Sequence, residues 1–86
     1  MPVTPDYLRS AAEVISSAAS LREAATLWRT RDPAMRVVVV DAMDMRDETP
    51  ALRQGSRSIY LATSDGHCWS ITQKPEEATA LILAED

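Results

Sequence analysis

The sequence predicts an α+β fold, in which two N-terminal helices pack on a three-stranded antiparallel sheet. Three features predict it: two helix start signals in the first third of the chain, a run of valines at 37–40, and two strand-like segments separated by Asp65-Gly66. A chain of 86 residues has room for one small core, so a single domain over 1–86 is expected.

Helix signals predict helices at about 5–17 and 21–31. Thr4 stands directly before the first helix, and its hydroxyl can accept a free backbone N–H there. Ser20 and Glu23 have the spacing of a capping box, which starts a second helix. One continuous helix is the alternative, because apolar residues keep a helical spacing across the junction.

The valine run predicts the first strand, at about 35–46. Residues 37–40 are too uniformly apolar for a strand with one face in water, so we expect a central strand that is covered on both faces. The connector that follows carries Thr49-Pro50 and Gly55, which indicate a single helical turn with a left-handed stop.

Strands at about 57–64 and 67–73 form the predicted β-hairpin. Asp65-Gly66 accepts the positive φ angles of a two-residue type I′ turn, which pairs Ala62 with Trp69. The alternation of side chains then places Trp69 on the face opposite to Cys68.

The end of the chain, at about 75–84, predicts a short C-terminal helix. Pro75 and the two acids after it are typical of a first helical turn. A closing strand over 79–84 is the alternative, because so short an apolar run has no decisive period.

Charge and composition limit the classes of function. The net charge is −4 and the arginines are scattered, so we expect no nucleic-acid binding. No segment approaches the roughly 20 apolar residues that span a bilayer, and no signal peptide pattern is visible. Because the single cysteine excludes an intrachain disulfide, a reducing, cytoplasmic location is expected.

Four residues are predicted to contact a partner protein: Asp41, Asp44 and Asp47 as an acidic edge, and His67 at the hairpin end. Asp41 and Asp44 alternate to opposite faces of the predicted strand, so they form no catalytic pair. Trp69 is expected to be buried under the helices, with an exposed aromatic anchor for a partner as the alternative.

His67 and Cys68 are the only histidine and cysteine, so they are the obvious candidates for a catalytic pair. Adjacent strand residues point to opposite faces, however, which separates a thiolate from its imidazole. Together with Met43 and Met45 they have the ligand types of a Cu(I) site, but methionine in a strand is usually core filler. We therefore predict no catalytic, cofactor or metal site.

Several short motifs follow one another in order along the chain. They are Asp32-Pro33, Tyr60-Leu61, Asp65-Gly66-His67-Cys68, Pro75-Glu76-Glu77-Ala78-Thr79 and Leu83-Ala84-Glu85. With these motifs the chain resembles, over about 20–86, a family of small uncharacterised proteins encoded among bacterial nitrogen-fixation genes. The resemblance implies a cytoplasmic accessory role near a redox metalloenzyme and carries over no catalytic residue.

These observations predict a non-enzymatic accessory or regulatory protein that acts by binding another protein. One alternative is a small-molecule-binding or cryptic enzymatic domain that uses His67 or Cys68. A second is an acidic decoy that inhibits a nucleic-acid-binding protein, for which the net charge of −4 is the argument. The sequence leaves open whether copies of the chain associate with one another.

Overall fold

Two α-helices and a mixed five-stranded sheet form the part of the chain that the computed structural model describes, residues 3–64 and 69–86. The helices are α1 (Pro5–Ser17) and α2 (Leu21–Arg31), and the strands are β1 (Arg36–Val39), β2 (Leu52–Gln54), β3 (Arg57–Ser64), β4 (Trp69–Ile71) and β5 (Ala80–Glu85). Short 3₁₀ helices at Ala42–Met45 and Pro75–Glu77 lie between strands. The predicted α+β class is confirmed, and the three-stranded antiparallel sheet is wrong.

The two helices are separate, as their cap signals predict. Thr4 Oγ1 accepts the N–H of Tyr7 at 3.1 Å, and Ser20 Oγ accepts the N–H of Glu23 at 3.1 Å. Between the helices the backbone is extended, with φ −72° and ψ 149° at Ala18. A new cap at Ser20 therefore outweighs the apolar spacing that favoured one continuous helix.

The sheet has the strand order β1-β5-β3-β2, with β5 and β3 at its centre. β4 pairs with the end of β3 and β2 with its beginning, whereas β5 pairs along nearly all of β3. β1 runs parallel to β5, and the other pairs are antiparallel. The valine strand thus lies at an edge, and its predicted central position is wrong.

The two helices cover one face of the sheet and form the main core with it. Trp28 is 3% exposed and is the largest side chain of this core. The sheet contributes alternate residues from its strands, namely Val37, Ile59, Leu61, Leu81 and Leu83. Apart from Trp28, the helices contribute mostly alanine and a few aliphatic side chains.

The predicted first strand over 35–46 is too long. β1 ends at Val39, and Ala42–Met45 forms a 3₁₀ helix instead. Asp41 Oδ1 accepts the N–H of Met43 at 2.9 Å, so the aspartate caps this helix. A local side-chain acceptor thereby ends the strand although the apolar alternation continues.

The connector after the 3₁₀ helix forms a strand, so its predicted helical turn is wrong. β2 pairs with β3, with Gln54 opposite Arg57. Gly55 follows β2 with φ +61°, a left-handed conformation that glycine adopts without strain. The glycine signal was correct, but it turns the chain between two strands.

The predicted helix over 75–84 is also wrong, and the alternative of a closing strand is correct. Only Pro75–Glu77 is helical, as a 3₁₀ turn. In β5 both Leu81 and Leu83 are fully buried, and Ala80 and Ala84 on the other face are buried as well. Hydrogen bonds to both β1 and β3 stabilise this segment as a strand. Such bonds to distant segments cannot be predicted from the local sequence pattern.

β3 and β4 pair with Ser64 opposite Trp69 and Ala62 opposite Ile71. The predicted pairing of Ala62 with Trp69 is therefore wrong, and the Asp65-Gly66 turn lies outside the described residues. The shift amounts to two residues along the strand. Because side chains alternate with a period of two, Trp69 still shares a strand face with Ala62, as predicted.

Candidate functional site

The face of the sheet that points away from the helices is only partly covered. We call it the open face and define it by Val38, Tyr60, Trp69, Ile71 and Ile82. The 3₁₀ helix at Ala42–Met45 packs Met45 against Tyr60 and buries both. Val38 and Trp69 lie beyond this cover and are 39% and 44% exposed.

Trp69 and Arg36 meet over two small residues of the open face. Arg36 lies in one row with Ala80 and Ala62, which are both fully buried. The Arg36 guanidinium carbon is 5.5 Å from the centroid of the Trp69 ring, within cation–π range. Tryptophan and arginine are enriched among the residues that dominate binding energy at protein interfaces. The pair therefore forms a candidate anchor for a partner.

The expected burial of Trp69 under the helices is wrong, and the alternative of an exposed aromatic side chain is correct. Ile59 and Leu61 belong to the other face of β3 and fill the space beneath the helices. Sequence reasoning missed Arg36 and Val38 at this site. Their i, i+2 spacing places them on one strand face, but it does not tell which face is open.

The acids that we predicted as partner contacts lie on the segment that borders the open face. Asp41, Asp44 and Asp47 are all exposed, the first as cap of the 3₁₀ helix and the second within it. This short helix packs on β5. His67 lies outside the described residues. The role of the four residues in binding stays a prediction.

A second feature is a cleft of about 630 Å³ between the start of α1 and the end of α2. The Tyr7 hydroxyl accepts the Nε1–H of Trp28 at 2.9 Å and donates to Asp32 Oδ2 at 2.7 Å. The Tyr7 and Trp28 rings meet edge to face, with centroids 5.2 Å apart. The Arg31 guanidinium lies over Trp28, 5.5 Å from the ring centroid.

The Tyr7 hydroxyl is a structural group at neutral pH. Burial, together with the hydrogen bond to Asp32, raises the pKa of Tyr7 to about 12. The hydroxyl therefore stays protonated and donates a hydrogen bond to Asp32, while its oxygen accepts the hydrogen bond from the Trp28 N–H. This network links the two helices, and we assign it no catalytic role.

Within 3–64 and 69–86, no three His, Cys, Asp or Glu side chains are grouped to hold a metal ion, and no helix has the length and hydropathy to cross a membrane. No family model, curated protein or solved structure matches the chain. The resemblance to proteins encoded among nitrogen-fixation genes stays a prediction.

Proposed function

We propose that the protein is a non-enzymatic accessory or regulatory protein that binds another protein through its open face. The observation that carries this proposal is the stacked pair of Arg36 and the 44% exposed Trp69. Half-buried Ile71 and Ile82 and exposed Val38 surround the pair with apolar surface. An aromatic anchor within a partly apolar patch is the usual composition of an interface centre.

The charge next to the open face suggests the chemistry of the partner. Asp41, Asp44 and Asp47 give its border a negative charge, which would attract a basic surface and accelerate association at low salt. A basic, partly apolar protein surface is therefore the partner that we propose. The resemblance noted from the sequence adds the expectation that this partner belongs to a redox metalloenzyme system.

Affinity capture with matched variants tests the proposal. Trp69→Ala removes the anchor, and we expect it to abolish stoichiometric capture of a protein partner from a lysate of the source cells. Leu27→Ala is the control, because Leu27 on α2 is 49% exposed and lies far from the open face. Retention by the wild type and by Leu27→Ala, but not by Trp69→Ala, supports the proposal. Equal retention by all three would place the site elsewhere.

Charge reversal tests the acidic border separately. Asp44→Lys combined with Asp47→Lys is expected to weaken capture, and more strongly at low salt, because the electrostatic part of association is screened by ions. Both side chains are exposed, so the double variant should keep the wild-type circular dichroism spectrum. Unchanged capture would assign the binding energy to the apolar patch alone.

The enzymatic or small-molecule alternative depends on His67 and Cys68, which lie outside the described residues. Thiol labelling of the folded protein distinguishes it from the accessory function. Rapid reaction of Cys68 near neutral pH would indicate a thiolate-rich, accessible site. Slow reaction favours a cysteine without such activation and leaves protein binding as the function to pursue. The decoy alternative predicts capture of a nucleic-acid-binding protein that nucleic acid releases.

A further inference from the structure

β1 is an edge strand with the composition of a buried one. On the outer side of β1, no strand of the described residues pairs with it. The N–H of Val40 donates to Leu83 O at 2.9 Å, so alternate residues of β1 turn their backbone groups toward β5. The backbone groups of Val37 and Val39 therefore face outward, away from the sheet.

Little protects this edge against pairing. Natural edge strands usually carry a charged side chain, a proline or a bulge, whereas β1 has one arginine at its start and then three valines, with Val38 39% and Val39 41% exposed. One outward group is covered: the Arg29 guanidinium donates a hydrogen bond to the Val37 carbonyl. A long, exposed arginine side chain is a cover that an incoming strand can displace.

We propose that β1 pairs with β1 of a second copy of this chain, as an antiparallel two-fold dimer with a continuous sheet. A two-fold axis at Val38 sets Val37 of each copy opposite Val39 of the other. The backbone N–H and C=O groups of both residues point away from β5. Each pair can therefore form the two N–H···O=C bonds of a regular antiparallel ladder. In this symmetric arrangement a single interface provides hydrogen-bond partners for the outward backbone groups of β1 in both copies.

Charge favours a second copy in this orientation. Arg36 begins β1 and the guanidinium of Arg29, from α2, lies at Val37, whereas Asp41 and Asp44 follow the C-terminal end of the strand. Antiparallel pairing brings the basic residues of one copy to the acidic residues of the other, and does so twice by symmetry. Parallel pairing would set like charges side by side. Arg29, once displaced from Val37, thus finds an acidic neighbour in the partner copy.

The dimer and the proposed function share Arg36, Val38 and the acidic border. They can still be tested separately, because the dimer uses the edge of the sheet and leaves Trp69 accessible. The first experiment measures mass by light scattering or sedimentation over a wide dilution series. We expect a mass twice the 9.5 kDa of one chain, falling toward 9.5 kDa on dilution. A single-chain mass at every concentration overturns the proposal.

Two edge variants and a control assign the interface. Val39→Pro removes an outward N–H that bonds nothing within its own sheet, so we expect a folded monomer. If Val39→Pro loses its helical circular dichroism, Val38→Lys replaces it as the test. Lysine is typical of protected edge strands, so we expect this variant to be a folded monomer too. Leu27→Lys is the control and should remain dimeric. A dimer that survives in folded Val39→Pro and in Val38→Lys overturns the proposal.

A crosslink tests the orientation. On the two-fold axis the Val38 side chains form a non-hydrogen-bonded pair, with Cα atoms about 4.5 Å apart, a spacing that a disulfide can bridge. Val38→Cys, in a Cys68→Ser background, should form disulfide-linked dimers on mild oxidation, and Leu27→Cys in the same background should not. Equal crosslinking of both variants would indicate random collision and overturn the proposed register.

Discussion

Tyr7 shows how one side chain can connect two elements that the chain forms separately. Its hydroxyl lies between the indole N–H of Trp28 and the carboxylate of Asp32, and both partners belong to the C-terminal part of the other helix. The three side chains line the cleft of about 630 Å³ between the two helices, so the polar groups there are already bonded to one another. We interpret it as a clamp between α1 and α2.

This clamp predicts a pH dependence of stability. Folding raises the pKa of Tyr7 from 10.0 to about 12, so the folded state binds the proton more tightly than the unfolded state. The stabilisation is therefore complete below pH 10 and is lost as the pH rises toward 12. Urea unfolding over this pH range should show the loss in the wild type, and a smaller loss in Tyr7→Phe. An equal pH dependence in the two proteins would contradict the assignment.

Arg57 connects three elements: the end of α1 and the strands β3 and β5. Its Nη1 donates to the carbonyls of Ile15 and Ala18, at 2.6 and 2.7 Å, and its Nε donates to Glu85 at 2.9 Å. The last carbonyls of a helix have no partner within the helix, and a guanidinium fork satisfies two of them here. α1 has no basic residue in its own last turn, so the arginine comes from the sheet.

Arg57→Ala is expected to lower the free energy of unfolding by about 2–3 kcal/mol, because charged hydrogen bonds to partly buried carbonyls are lost. The free energy of unfolding of Arg57→Lys should lie between those of Arg57→Ala and the wild type, since an ammonium group cannot reproduce the two-pronged geometry of the guanidinium. Arg53→Ala is the control. Arg53 pairs with Asp86 at an exposed position, so its loss should cost less than about 1 kcal/mol in the same denaturant titration.

On the scale of the whole molecule, the main feature is the unequal cover of the two sheet faces. The helices bury most of one face, whereas a 3₁₀ helix covers part of the other. The two tryptophans report on the two faces, because Trp28 is 3% exposed and Trp69 is 44% exposed. The asymmetry leaves an apolar surface that a partner can use without any rearrangement of the core.

Fluorescence quenching tests this asymmetry directly. In Trp28→Phe the remaining tryptophan is Trp69, and we expect acrylamide to quench it several times more efficiently than Trp28 in Trp69→Phe. Because Trp28→Phe removes a buried N–H donor to Tyr7, its fold must first be verified by circular dichroism. Similar quenching of the two folded variants would contradict the open face.

Part of the candidate site could be predicted from the sequence. The exposure of Asp41, Asp44 and Asp47 was expected, and so was the strand face that Trp69 shares with Ala62; the side of the sheet on which that face lies was not. The position of Arg36 next to Trp69 could not be predicted, because the two strands are separated by β5 and β3. A contact across four strands depends on strand order, and the sequence of neither segment alone contains a signal for that order.

The sequence by itself determined the features whose energy is local: the two helix starts at Thr4 and Ser20, the left-handed Gly55 and the alternation of side chains in each strand. A cap hydrogen bond or a positive φ joins residues at most a few positions apart, so the local pattern is sufficient. Only the tertiary structure decided that the valine strand lies at an edge, parallel to β5, and that the closing segment is a strand. Those outcomes depend on hydrogen bonds between distant segments, and the energy of pairing there exceeds the local helix preference of the closing segment.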